Sequence, residues 1–130
     1  MSKIFLFVAK KSLPESRRRS SCPVACTLDL VGDRWTFLLI RDLLADKSRY
    51  GELLASGEGI PSNLLAERLR RLEAAGIIER KLYQSNPPRY SYHLTPDGLE
   101  LAPALGVLAK WGLRHFRNTK ASEKLVKYLR

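Results

Sequence analysis

Three observations predict a mostly helical α+β domain for this 130-residue chain. Apolar residues recur at helical spacing in four short segments between Cys22 and Ala75, punctuated by Gly32, Gly57 and Gly76. Two alternating stretches, IIERKLYQ and RYSYHLT, follow at once and read as paired strands. A longer run, TPDGLELAPALGVLAKWGLRHF, then returns to the helical period. The length is that of one domain.

The elements follow in order. Residues 1–21 form a basic N-terminal arm, with six basic residues against one acid and no clear periodicity. Its apolar stretch IFLFVA is too short for a signal-peptide core or a bilayer span, so a cytoplasmic protein with no membrane partner is expected. The domain proper occupies 22–117. Pro23 suits the first position of a helix, and Gly32 suits its end. Asp33 is placed to cap DRWTFLLIRDLLAD, whose Trp35, Leu38, Leu39 and Leu43 share a face with Asp42. RYGELLASG is a short helix closed by Gly57. SNLLAERLRRLEA is a longer one, opened by Pro61 or Ser62 and stopped at Gly76. The prolines of SNPP cannot donate to a ladder, which predicts an exposed loop from Asn86 to Arg89. Thr95 then caps one continuous helix, with Pro96 first and Asp97 favouring its dipole. Residues 118–130 read as a basic, mildly helical C-terminal tail.

Net charge narrows the function. The total is +10, with a pI near 10.0, which points toward polyanions. Residues 22–58 carry four basic and six acidic groups, whereas 59–95 carry six basic and three acidic. On a helical wheel Leu65, Leu69 and Leu72 face inward, with Asn63, Glu67 and Arg70 opposite. Arg71 lies at the edge of that outer face and Arg68 near the core boundary. Two helices joined by a tight turn, the second presenting a polar face, make a helix-turn-helix, and the hairpin after it makes a wing. Such a helix fits the DNA major groove, where Asn pairs with adenine and Arg with guanine. Its start can grip phosphate, and an arginine on the wing suits a narrow minor groove. The candidate DNA contacts are therefore Ser62, Asn63, Glu67, Arg68, Arg70, Arg71 and Arg89. A solvated helix followed by an incidental hairpin is the competing reading, and the full order of elements favours DNA.

Other chemistries find little support. Two cysteines make no disulfide framework, and His93 and His115 stand alone, so no zinc set of four ligands is evident. No nucleophile–base pairing is visible, so neither an enzyme nor a cofactor is expected. The stripe Leu99, Leu101, Leu105, Leu108, Trp111 and Leu113 exceeds what one small domain buries. A homodimer seam through Leu105, Leu108 and Trp111 would cover it. Cys22 sits at a helix start beside Arg17, Arg18 and Arg19, surroundings used by oxidant- or electrophile-sensing thiols, with Cys26 one turn further on. The plainer alternative is a packing role.

The stretches CPVACTLDLVGDRWTFLLIRDLL, RYGELL, GIPSNLLAERLRRLEAAGIIER, PPRYSYHLT and GLELAPALGVLAKWG together resemble the HxlR-type winged-helix transcription regulators of bacteria, relatives of the MarR type. The likeness covers roughly residues 22–113. It implies a homodimer that binds pseudo-palindromic double-stranded DNA and lacks enzymatic activity. It places Ser62, Asn63 and Arg68 in the recognition helix and Arg89 in the wing. Tyr50, Gly51 and Glu52 match a helix that supports the recognition helix from behind. Trp111 and Gly112 match the helix that pairs protomers. Cys22 matches a cysteine that in some members senses oxidants or electrophiles. Three features depart from the pattern. Cys26 stands where many members have Arg or Lys. IP replaces the common IS, which shifts the expected cap to Ser62. The arm is longer than the family core needs. The alternatives are a thiol-based redox protein and a winged-helix module for protein or RNA contacts.

Overall fold

The computed structural model describes residues 18–129. The expectations for IFLFVA, for Arg17 and for most of the arm lie outside those residues. Helix α1 spans Pro23–Val31, with Cys22 at its N-cap and Gly32 closing it through an N–H to the Leu28 carbonyl at 2.7 Å. Helix α2 spans Thr36–Leu44, α3 Tyr50–Leu54 and α4 Ser62–Ala74. The glycine stops after α3 and α4 are real. Gly57 and Gly76 hold φ of 102° and 76°, where a side chain is strained.

One core joins these elements. Ile40 and Leu39 of α2, Leu53 of α3, and Leu65, Leu69 and Leu72 of α4 are buried, with Ile77 and Ile78 where the sheet begins. Strands β1 (Ile78–Ser85) and β2 (Pro88–Leu94) pair antiparallel, from Ile78 opposite Leu94 to Ser85 opposite Pro88. The register slips once between Leu82 and Gln84, which leaves Tyr83 as the extra residue. A third rung comes from the segment before α3. Arg49 bridges Ser91, and the Tyr92 N–H donates to the Ser48 carbonyl at 2.7 Å.

The structure corrects the sequence reading in several places. The wing turn is only Asn86–Pro87. Pro88 joins the ladder at its first position, where a missing N–H is tolerated, and Arg89 lies within β2 opposite Gln84. The last helix is two. Helix α5 (Pro96–Leu99) ends at Glu100, and α6 runs Ala102–His115. Pro103 explains the break, because its ring clashes with a carbonyl four residues back and it has no N–H to give. Thr95 does cap α5, accepting from the Gly98 N–H at 3.1 Å. The C-terminal tail, read as mildly helical, holds one short helix that returns to the core. Helix α7 (Glu123–Val126) buries Leu125 in the core, Lys124 pairs with Asp46, and the Tyr128 carbonyl lies so close to Gly106 of α6 that a Cβ there would have no room. Leu105 is buried in the chain's own core on the side of α6 that packs on α2, and so is not on an open seam. Among the described residues, no helix is long and apolar enough to cross a membrane.

Candidate nucleic-acid interface

Helix α4 is held from below by its three leucines and from behind by α3. The Tyr50 hydroxyl donates to the Ser62 carbonyl at 2.9 Å. Glu52 fixes the start of α3 by accepting from the Arg49 and Ser48 N–H groups at 2.9 and 3.1 Å. Ser62 is not the cap of α4. Pro61 occupies that position and no side chain caps the helix. Ser62, Asn63, Arg70 and Ala74 are exposed along the outer face. Among the described residues Arg70 makes no ion pair.

Arg68 and Arg71 behave differently. Both reach across to Asp33 in the turn between α1 and α2. Arg68 Nε donates to Asp33 Oδ2 at 2.9 Å and Arg71 Nη2 to Oδ1 at 2.8 Å. Arg71 Nη2 also donates to the Leu30 carbonyl at 3.2 Å, at the end of α1, where a cation favours the helix dipole. The Arg68 side chain is only 16% exposed, and it also pairs with Glu67. Asp33 was expected simply to cap α2. It accepts from the Trp35 N–H at 3.0 Å and the Thr36 hydroxyl at 2.5 Å, and the two guanidiniums complete its shell. Burial pushes its carboxyl up. The bonds from Thr36, Arg68 and the Trp35 N–H overcome that and hold it well below the usual carboxylate range. The i, i+3 spacing of Arg68 and Arg71 on one edge of α4 was the signal available in the sequence for this shared partner.

The wing stands beside α4 with its cations outward. Arg89 is exposed and makes no ion pair among the described residues. Gln84 Nε2 steadies the turn by donating to the Pro87 carbonyl at 3.1 Å. Arg49, which sequence reasoning passed over, lies 4.3 Å over the Tyr83 ring, and Arg80 lies 4.5 Å over Tyr90.

An apolar surface lies elsewhere on the chain. On α1, Val24 and Leu28 are exposed. On α6, so are Val107, Leu108 and Trp111, with Phe116 just past its end. Trp111 packs on His115 with ring centroids 4.2 Å apart. Cys22 is exposed at the start of α1, while the half-buried Cys26 donates its S–H to the Ser20 carbonyl at 3.1 Å. Arg19 turns to Asp29 at 2.8 Å, so its charge is directed along α1.

The chain matches a family model described as HxlR-like helix-turn-helix over residues 30–120. It is 41% identical over 97 residues to the HTH-type transcriptional regulator Rv3095 of Mycobacterium tuberculosis, covering 75% of this chain and 61% of the relative. The match thus spans less than two thirds of that relative's length. Among solved structures, the reduced form of the redox regulator HypR superposes with a TM-score of 0.68 at 33% identity, over 74% of this chain and 95% of HypR. Diamide-treated YodB of Bacillus subtilis superposes with a TM-score of 0.57 at 30% identity, over 75% of this chain and 97% of YodB.

Proposed function

We propose that this chain, which belongs to the HxlR-like helix-turn-helix family of transcriptional regulators, acts as a cytoplasmic homodimer that reads an inverted-repeat operator. The observation that carries this reading is the exposed outer face of α4, with Asn63 and Arg70 beside a wing bearing Arg89. In the major groove Asn63 and Arg70 supply base contacts, and Ser62 at the helix start meets phosphate. Arg89 reaches the adjoining minor groove. Arg68 and Arg71, engaged by Asp33, support the helix. Two copies joined through α1 and α6 would set their recognition helices roughly 34 Å apart, one helical turn of DNA. Selection from a random duplex pool tests this directly. An inverted repeat is expected to emerge, and Asn63→Ala or Arg70→Ala should relax preference at one position per half-site. Recovery of sequences with no shared element would overturn operator reading.

A second layer concerns Cys22. Its thiol is open to solvent next to the exposed face of α1, and the similar HypR is described as a redox regulator. In this reading two thiols, one from each protomer, lose two protons and two electrons to an oxidant such as diamide and join as a disulfide. The first helices move, and DNA affinity changes. Gel-shift titrations of wild type and Cys22→Ser, with and without diamide, decide it. Equal binding by oxidised and reduced wild type leaves Cys22 a packing residue.

A further inference from the structure

The geometry points to Asp33 as the positioning residue of the recognition helix: one carboxylate holds Arg68 and Arg71 off the outer face of α4 and ties that helix to the end of α1. This rests on the DNA-reading role proposed above for α4. Four groups from two elements converge on Asp33: the Trp35 N–H and Thr36 hydroxyl where α2 begins, and the guanidiniums of Arg68 and Arg71 from α4. Through Arg71 the cluster extends to the Leu30 carbonyl, one of the last-turn acceptors that α1 itself leaves unpaired. The bonds to the two arginines are charge-assisted and fall within 2.8–2.9 Å, the range of strong pairs. The arrangement has a cost, since Arg71 Nε is buried without a partner among the described residues. A solvent-directed arginine would avoid that cost, so the inward pose is maintained by Asp33.

The consequence concerns selectivity. Arginines that reach phosphates add affinity for every sequence alike, whereas base contacts discriminate. With two of its three arginines taken up by Asp33, α4 presents Arg70 and Asn63 as its outer polar contacts. The pose of the helix then decides which base pair each one meets. Because α1 also carries exposed Val24 and Leu28, the same tie fixes the reading helix relative to a face that a second copy would cover.

The test uses the full chain, a duplex enriched by selection on the wild-type protein, and a scrambled duplex of equal composition. Asp33→Asn keeps the shape and removes the charge. Binding to the scrambled duplex is expected to strengthen several-fold, with a salt slope steeper by about one per released guanidinium. The enriched-to-scrambled affinity ratio is expected to fall about tenfold, comparable to losing one good base contact. Asp33→Glu, which keeps the charge, should recover much of the ratio. A merely structural carboxylate would lower the active fraction and leave both ratio and slope unchanged, and that result overturns the inference. If Asp33→Asn does not fold, Arg71→Gln tests the tie from the other side. The ratio should fall with the slope unchanged. An unaltered ratio, or a slope reduced by about one, shows Arg71 free or on phosphate and overturns the inference. A wild type that fails to enrich any sequence refutes the DNA-reading role itself, a failure distinct from a wild type that discriminates while its Asp33 variants match it.

Discussion

Trp111 offers the sharpest test of the proposed dimer. It is 51% exposed on α6, next to Leu108 and Val107, which are 54% and 63% exposed. An aromatic side chain presents roughly 150–250 Å², so about 100 Å² of Trp111 is available to a partner. At ~25 cal/mol per Å² its burial contributes about 2.5 kcal/mol. A two-fold seam counts it twice, giving about 5 kcal/mol, and ordering and imperfect fit reduce that to roughly 3–4 kcal/mol. Trp111→Ala should therefore weaken the dimer by a few hundredfold, at about 1.4 kcal/mol per tenfold. The fold should survive, because Trp111 stacks with the neighbouring His115 and Phe116 rings and lies outside the buried core. Sedimentation velocity across a concentration series measures the dissociation constant, with circular dichroism as the control for folding. A constant within threefold of wild type would refute the reasoning and move the seam away from this face of α6.

Three further outcomes follow from the same structure. Asp33, held below the usual carboxylate range, contributes stability that is present above about pH 4, where the unfolded carboxylate is ionised, and is lost as pH falls further. Urea midpoints from pH 6 to 3 should drop less steeply for Asp33→Asn than for wild type, and parallel curves would count against the ion pairs. Gly98→Ala should destabilise by about 1–3 kcal/mol, because the added Cβ meets the Ile77 carbonyl and the Leu94 side chain; thermal unfolding checks this. Leu125→Ala should cost about 2–4 kcal/mol, since Leu125 is only 8% exposed among core residues; a shift near zero in the denaturant midpoint would make the C-terminal segment a loose tail after all.

The helices and the wing were legible because their signals are local. Gly57 and Gly76 sit at positive φ where the sequence placed stops, and Thr95 caps where a cap was expected. The alternation of IIERKLYQ and RYSYHLT was enough to pair the strands, though not to show Pro88 inside the ladder. The misses are non-local, or they come from one signal outweighing another. The apolar period through Leu101 and Leu105 suggested a continuous helix, and Pro103 broke it. The tail's mild helicity was legible, but its return to the core through Leu125 and the space beside Gly106 was not.

The candidate site shows the same division at the level of charge. Residues 59–95 carry six basic groups, and the wheel sets three of them along α4 as if all were available. Arginine has a long side chain, and its destination depends on what lies across the helix edge rather than on its own position. Asp33 comes from the preceding segment, whose net charge is negative, and takes two of the three. The outward charge of α4 is then mostly Arg70, and Arg80 on the wing is paired with Glu73 at 3.2 Å. With one arginine left free, α4 itself adds little through phosphate contacts, since each contributes only about one unit of salt slope. In the proposed regulator, what α4 contributes therefore depends on base contacts made twice in a dimer, which makes the pose set by Asp33 and the seam carrying Trp111 two parts of one requirement.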